Sequence, residues 1–128
     1  MELVDCTQEF WEFVRTLRND SNNQTGFFTN VDITKDYQIN FMSENCQNYK
    51  ICLLDGIPVG YVGIINGNEI TFCVDHQHKG KSIGTFMVEE FSKKYTTMVS
   101  YVKPENIPSL RVFRKLGWEE KVFFQKKN

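Results

Sequence analysis

The sequence predicts an α/β fold in which a mixed sheet carries helices on both faces, and three observations lead there. Residues 49–74 hold three short apolar runs separated by turn dipeptides, the pattern of an antiparallel meander. Residues 7–42 and 82–116 instead repeat their apolar positions at helical spacing. Finally, a strand–helix–strand succession over 69–102 requires a parallel neighbour, because a crossover through a helix returns the chain in its original direction.

The elements follow in order. Met1–Asp5 reads as a first strand. Thr7 is placed to cap a helix whose apolar residues Phe10, Phe13, Val14 and Leu17 share one face. Asn19–Asn30 is polar, contains Gly26 and reads as a loop. Thr34 is placed to cap a second helix reaching about Met42, with Tyr37 and Phe41 on one side. Tyr49–Leu54 runs into Asp55-Gly56, Pro58–Ile65 runs into Asn66-Gly67, and Glu69–Val74 completes the meander. A third helix starts near Ser82, with Ile83, Phe86, Met87 and Phe91 as its apolar stripe. Thr97–Val102 reads as a strand. Pro108 suits the first turn of a fourth helix, where Leu110, Phe113 and Leu116 share a face and Gly117 ends it. Trp118–Phe124 closes as a sixth strand.

The 128 residues read as one domain, 1–128, long enough to bury a core without staples. With 41% apolar and 24% charged residues, the composition is that of an ordinary globular protein. A net charge of −1 argues against a nucleic-acid grip, which draws on a strong basic excess. The four cysteines have no CxxC spacing and read as free thiols of a reducing compartment. No apolar run approaches the ~18 residues of a membrane span, and Met1–Cys6 is no signal peptide. A cytoplasmic protein is expected.

Chemistry concentrates in Ile70–Gly84, a strand, a short glycine-bearing loop and a helix start. Backbone N–H groups at a helix start have no intrahelical partner and lie at the positive end of the helix dipole, so such a loop suits an anion. Lys79 and Lys81 add positive charge. Taken alone the segment is also compatible with a turn that carries glycine for geometry only.

Read with the second half, the segment becomes specific. His78-Lys79-Gly80-Lys81-Ser82-Ile83-Gly84 resembles the coenzyme A pyrophosphate loop of the GNAT acetyltransferases, and Asn106-Ile107-Pro108-Ser109 through Lys115-Leu116-Gly117-Trp118 resembles that family's closing motif. The resemblance spans the chain, most strongly from Tyr49 onward. It implies the GNAT fold, with a sheet of six to seven strands and four helices, and N-acetyl transfer from acetyl-coenzyme A to a primary amine of a small molecule. By the same resemblance, Phe72, Cys73 and Val74 on the fourth strand, the loop Lys79, Gly80, Lys81, Ser82, Ile83 and Gly84, and Asn106, Ser109 and Phe113 would contact the cofactor. A homodimer is compatible with it. Three positions depart from the family pattern: Lys79 replaces Gln or Arg, Ser82 replaces a glycine, and Phe113 stands where many members have a tyrosine that protonates the leaving thiolate.

An amine acceptor is mostly protonated at neutral pH, so a base is useful. Glu69 is the first candidate, since Glu69–Cys73 resembles the strand bearing the catalytic glutamate of histone-acetylating members; Asp75 is the reserve. Residues 18–42 faintly resemble amino-sugar acetyltransferases acting on nucleotide-linked sugars. There Phe27, Phe28 and Tyr37 either stack on the acceptor or pin the loop to the core. Peptide or protein amines are the alternative acceptors. Gly80-Lys81-Ser82 does not complete a nucleotide P-loop, because Asp75 stands where that motif needs glycine. His76 and His78 lack further ligands for a metal. The rival of another class is a catalytically silent coenzyme-A-binding module, motivated by Phe113 and Ser82.

Overall fold

The computed structural model describes residues 1–23 and 32–127. Strands β1 (Glu2–Asp5), β2 (Tyr49–Leu54), β3 (Ile57–Ile65) and β4 (Glu69–Val74) lie side by side in chain order, each antiparallel to the next. Turn chemistry sets this order. Asp55-Gly56 joins the paired Leu54 and Ile57 with φ of 52° and 78°, and Asn66-Gly67 has φ of 50° and 86°. In the two-residue Asp55-Gly56 turn, positive φ at both central residues matches the twist of the flanking strands, while the second loop adds Asn68 before Glu69 pairs with Ile65.

Pro58 has no N–H to give an interior strand, and the ladder accommodates it with a bulge. Cys52 pairs with Gly60 but Leu53 with Pro58, leaving Val59 as the extra residue. The Val59 carbonyl then accepts the Asp75 N–H at 2.8 Å, which fixes where the chain leaves β4.

Helices cover both faces. On one, α1 (Trp11–Asn19) and α2 (Lys35–Asn45) enclose Val14, Leu17, Met42, Tyr49, Ile51, Tyr61 and Cys73. On the other, α3 (Ile83–Ser92) and α4 (Ile107–Lys115) enclose Val62, Ile70, Ile83, Met87, Val88 and Phe113. The alternation of β4 separates the two cores, with Ile70, Phe72 and Val74 toward α3 and Cys73 toward α1. All four cysteines are free. Among the described residues no helix is long and apolar enough to cross a membrane.

The structure corrects the strand count, which is four among the described residues rather than six to seven. Thr97–Val102 forms no strand. It makes one parallel bridge, Val99 to Glu69, held by Ile70 N–H to the Val99 carbonyl at 2.9 Å and Val99 N–H to the Asn68 carbonyl at 3.0 Å. Beyond that bridge the segment parts from β4. The expected strand Trp118–Phe124 is likewise absent, the segment joining no ladder among the described residues. The tail is tied instead by Arg114 to Glu120 and by Tyr101 against Phe123, with Phe124 89% exposed.

Helix starts differ in smaller ways. Thr7 does not cap α1: a 3₁₀ turn at Gln8–Phe10 intervenes, and the Thr7 hydroxyl donates to Glu9. Thr34 caps α2 as expected, accepting the Tyr37 N–H at 3.1 Å, and α2 continues three residues past Met42 to Asn45.

Candidate active site

The parting of residues 99–102 from β4 opens a cleft of about 810 Å³. One wall is β4 from Glu69 to Val74, another is Ser100–Val102 with α4, and one end is the loop and start of α3. A smaller hollow of about 340 Å³ beside the β3–β4 turn is lined by Tyr49, Phe41, Ile64, Ile65 and amide side chains, with no charged group to do chemistry. The large cleft is therefore the candidate site.

The outer edge of β4 is aimed into the cleft. Ile70 donates to Val99 on that side, whereas Cys73 pairs inward with Tyr61 and Asp75 donates inward to Val59. By the two-residue period of a strand, the N–H and C=O groups of Phe72 and Val74 point outward as Ile70 does. They lie past the single bridge, along the cleft.

At the end of the cleft the backbone makes an anion cradle. Gly80 and Ser82 both have left-handed backbone, φ 84° and 61°. This conformation at Ser82 is the reason glycine suits the position, and serine holds it at a cost of about 1–2 kcal/mol. The Ser82 side chain makes no capping hydrogen bond. The first intrahelical bond of α3 is from Phe86 N–H to the Ser82 carbonyl at 3.1 Å, so the N–H groups of Ile83, Gly84 and Thr85 precede it. Gly84 serves packing: a Cβ there would meet the Phe72 ring at 3.0 Å and Val112 at 3.4 Å. Its bareness lets α3 sit against β4 and α4 with its N-terminus at the cleft. Lys79, Arg111 and Lys115 line the same cleft and His78 adds an imidazole, so the cradle and its surroundings suit a polyphosphate anion such as that of coenzyme A.

The structure brings most of the expected residues together. Glu69, Phe72, Cys73, Val74, Lys79, Gly80, Ser82, Ile83, Gly84, Asn106, Ser109 and Phe113 all line the cleft. Lys81 does not; its ammonium lies 3.4 Å from His78 Nδ1. Asp75 does not either, and its carboxylate accepts the Gln77 N–H at 3.2 Å as the cap of a short turn. Tyr37 stacks on Phe41 on an exposed flank away from the cleft. Phe27 and Phe28 lie outside the described residues. Asn106 caps α4, its Oδ1 accepting the Ser109 N–H at 3.3 Å. Phe113 is buried between Phe72 and Trp118, ring centroids 5.9 and 4.8 Å away.

Other residues reach the cleft to which the sequence assigned no role of their own: Arg18, Asn22, Asn23, Thr71, Thr85, Glu105, Arg111 and Lys115. For Arg18 a signal existed, because it follows the buried Val14 by one helical turn and so shares its inward side. Cys73 offers a thiol to the cleft, but burial pushes its pKa up to about 12, against the opposing charges of Lys79 and Arg18. It stays a neutral thiol at pH 7 and is no nucleophile. Among the described residues no group of three His, Cys, Asp or Glu is arranged to hold a metal ion.

Comparison with known proteins agrees with this geometry. The model of the acetyltransferase (GNAT) domain family matches residues 2–119. The chain is similar in structure to the spermidine N-acetyltransferase of Vibrio cholerae in complex with CoA and spermine, with a TM-score of 0.84 at 14% identity over 94% of this chain and 82% of that one. It is similar to a ribosomal-protein-alanine N-acetyltransferase from Brucella melitensis, TM-score 0.80 and 14% identity over 95% and 86% of the two chains. A GNAT-family acetyltransferase from Bacillus anthracis matches with a TM-score of 0.79 and 21% identity over 98% and 84%. With a family match across nearly the whole chain and a cleft whose loop and strand edge suit the cofactor, the protein belongs to the GNAT acetyltransferases, enzymes that are N-acetyltransferases dependent on acetyl-coenzyme A.

Proposed function

We propose that this protein acetylates a primary amine of a small molecule by direct attack within a ternary complex, with Glu69 receiving the amine's proton, itself or through water. The observation that carries the reading is the place of Glu69. It lines the cleft at the β4 residue bridged to Val99, where the two walls part, and its carboxylate accepts the Asn66 amide at 3.1 Å. An alkylamine with a pKa near 10.4 is protonated by about 3.4 units at pH 7, a penalty of roughly 4.6 kcal/mol on the free nucleophile. A carboxylate lining the cleft gives the proton a place to go as the nitrogen attacks the thioester.

Acetyl-coenzyme A supplies the activated acetyl group. The residues that would hold it are the outward backbone groups of Phe72 and Val74, the N–H groups at the start of α3, and the Lys79 cation. Asn106, already a helix cap, would keep its amide nitrogen for the same ligand. The neutral, buried Cys73 supports direct transfer over an acyl-enzyme. Phe113 has no proton to give, and a thiolate with a solution pKa near 8.5 departs at neutral pH without a strong acid. Among the hydroxyl residues that line the cleft, Tyr101 and Ser109 are the two put forward for that duty.

The test joins binding to turnover. Calorimetric titration with acetyl-coenzyme A should show micromolar or tighter binding, and thiol release with a panel of amines, beginning with amino sugars free and nucleotide-linked, should identify an acceptor. Glu69→Gln should lower kcat ten-fold or more with cofactor affinity nearly unchanged. An unaltered kcat removes Glu69 from the reaction. Tight cofactor binding with no thiol release on any amine, peptides included, favours the silent module.

A further inference from the structure

The cleft has a charged group that acetyl transfer leaves unused. Arg18 lines it from the α1 side, together with Asn22, Asn23 and Thr71. Arg18 belongs to α1, which packs on the face of β4 that carries Cys73, and by the two-residue period of the strand Glu69 and Thr71 lie on that same face.

The wall that carries Arg18 is firmly built. Asn23 is 6% exposed and donates to the Leu17 carbonyl at 3.0 Å, and the Asn22 N–H donates to the Asp20 carboxylate at 2.9 Å. The turn after α1 is thus held by its own bonds. Lys79, on the loop before α3, and Arg111 and Lys115, on α4, go with the cofactor's phosphates. Arg18 belongs to α1, on the face that bears Glu69.

We infer that the acceptor is an amine that also carries an anionic group, a carboxylate or a phosphate, and that Arg18 selects it by binding that group while Glu69 faces the nitrogen. The inference rests on the acetyl-transfer reading above and deepens it to a substrate class. A guanidinium has five donors in a planar fork, so it can keep a protein contact and still offer an edge to a carboxylate or phosphate. An acceptor whose second group is an ammonium, such as a polyamine, meets like charge at the same place.

The experiment uses matched amines that differ only in the anion. Glucosamine 6-phosphate is compared with glucosamine, and a dipeptide with its C-terminal amide, scored as kcat/KM by thiol release. One anionic member should exceed its neutral partner ten-fold or more, and the pair that does so identifies phosphate or carboxylate. Arg18→Gln should abolish that preference by lowering the kcat/KM of the anionic member ten-fold or more, and Lys79→Gln, whatever its effect on rate, should leave the ratio within the pair intact. Equal rates within both pairs, or a preference that survives Arg18→Gln, overturns the inference and leaves acetyl transfer standing. If no amine is acetylated although acetyl-coenzyme A binds, the transfer reading itself fails. Calorimetry of the same pairs on the coenzyme-A-loaded protein then decides Arg18: selective, Arg18-dependent binding of the anionic member supports it, and equal affinity overturns it.

Discussion

Two helices begin at the cleft, and they begin differently. The start of α4 is closed on itself, with Asn106 accepting the Ser109 N–H and a proline in the first turn. The start of α3 is left open: Ser82 turns through the left-handed region, and its side chain makes no capping bond. A helix start without a cap forgoes roughly 0.5–2 kcal/mol of local stability. At α3 the omission leaves N–H donors for an anion; at α4 stability is kept and the side chain both builds the helix and lines the site. The contrast shows how one fold separates a binding helix from a supporting one.

The strongest way to break this contrast is to fill the contact on which α3 depends. Gly84→Asp puts a side chain 3.0 Å from the Phe72 ring and a negative charge in the cradle. Acetyl-coenzyme A binding should fall by a hundred-fold or more by calorimetry; retained affinity would mean that the phosphates sit elsewhere. A milder break gives α3 the cap it lacks. Ser82→Asp should cost ten-fold or more in cofactor affinity through charge and competition for the same N–H groups, with the thermal midpoint showing that the fold survives.

The opposite exchange tests α4. Asn106→Ala removes its cap and should lower stability by about 1 kcal/mol in chemical denaturation. Its effect on cofactor affinity should be several-fold smaller than that of Ser82→Asp. The smallest expected effect comes from pH. Backbone donors do not titrate, so cofactor affinity should stay nearly flat from pH 7 to 9. Fold stability should not remain flat beyond that. The thiols of Cys6 and Cys73 are raised by burial from 9.0 to about 12, so the neutral form is favoured in the folded chain. Unfolding releases thiols that ionise above pH 9, and this stabilisation is complete below pH 9 and declines as pH rises toward 12. The thermal midpoint should drop over that range, and less steeply in Cys73→Ala.

Much of this was legible from residues. Asp55-Gly56 and Asn66-Gly67 announced both turns because their backbone needs are local, and the loop before α3 and the Asn106 motif announced the two helix starts at the cleft for the same reason. The failures are non-local. Whether 97–102 forms a full strand depends on how far it stays beside β4, which no property of its own sequence states. Trp118–Phe124 has strand-like residues but no partner strand. Arg18 reached the cleft through the packing of α1, at which its spacing from Val14 and its place at the head of the 18–42 stretch only hinted. Asp75 and Tyr37 carried suitable chemistry, yet one is consumed in capping a turn and the other faces away from the cleft.

The lone bridge between Glu69 and Val99 has a consequence of another kind. A sheet stopped after a single rung is an unzipped seam, and the exposed edges of β4 past it offer ready hydrogen-bonding groups to any extended chain that comes near. An extended ligand arm laid along the seam would answer those groups as a pairing strand does, so that the place where the sheet stops is also the place where a ligand could continue it.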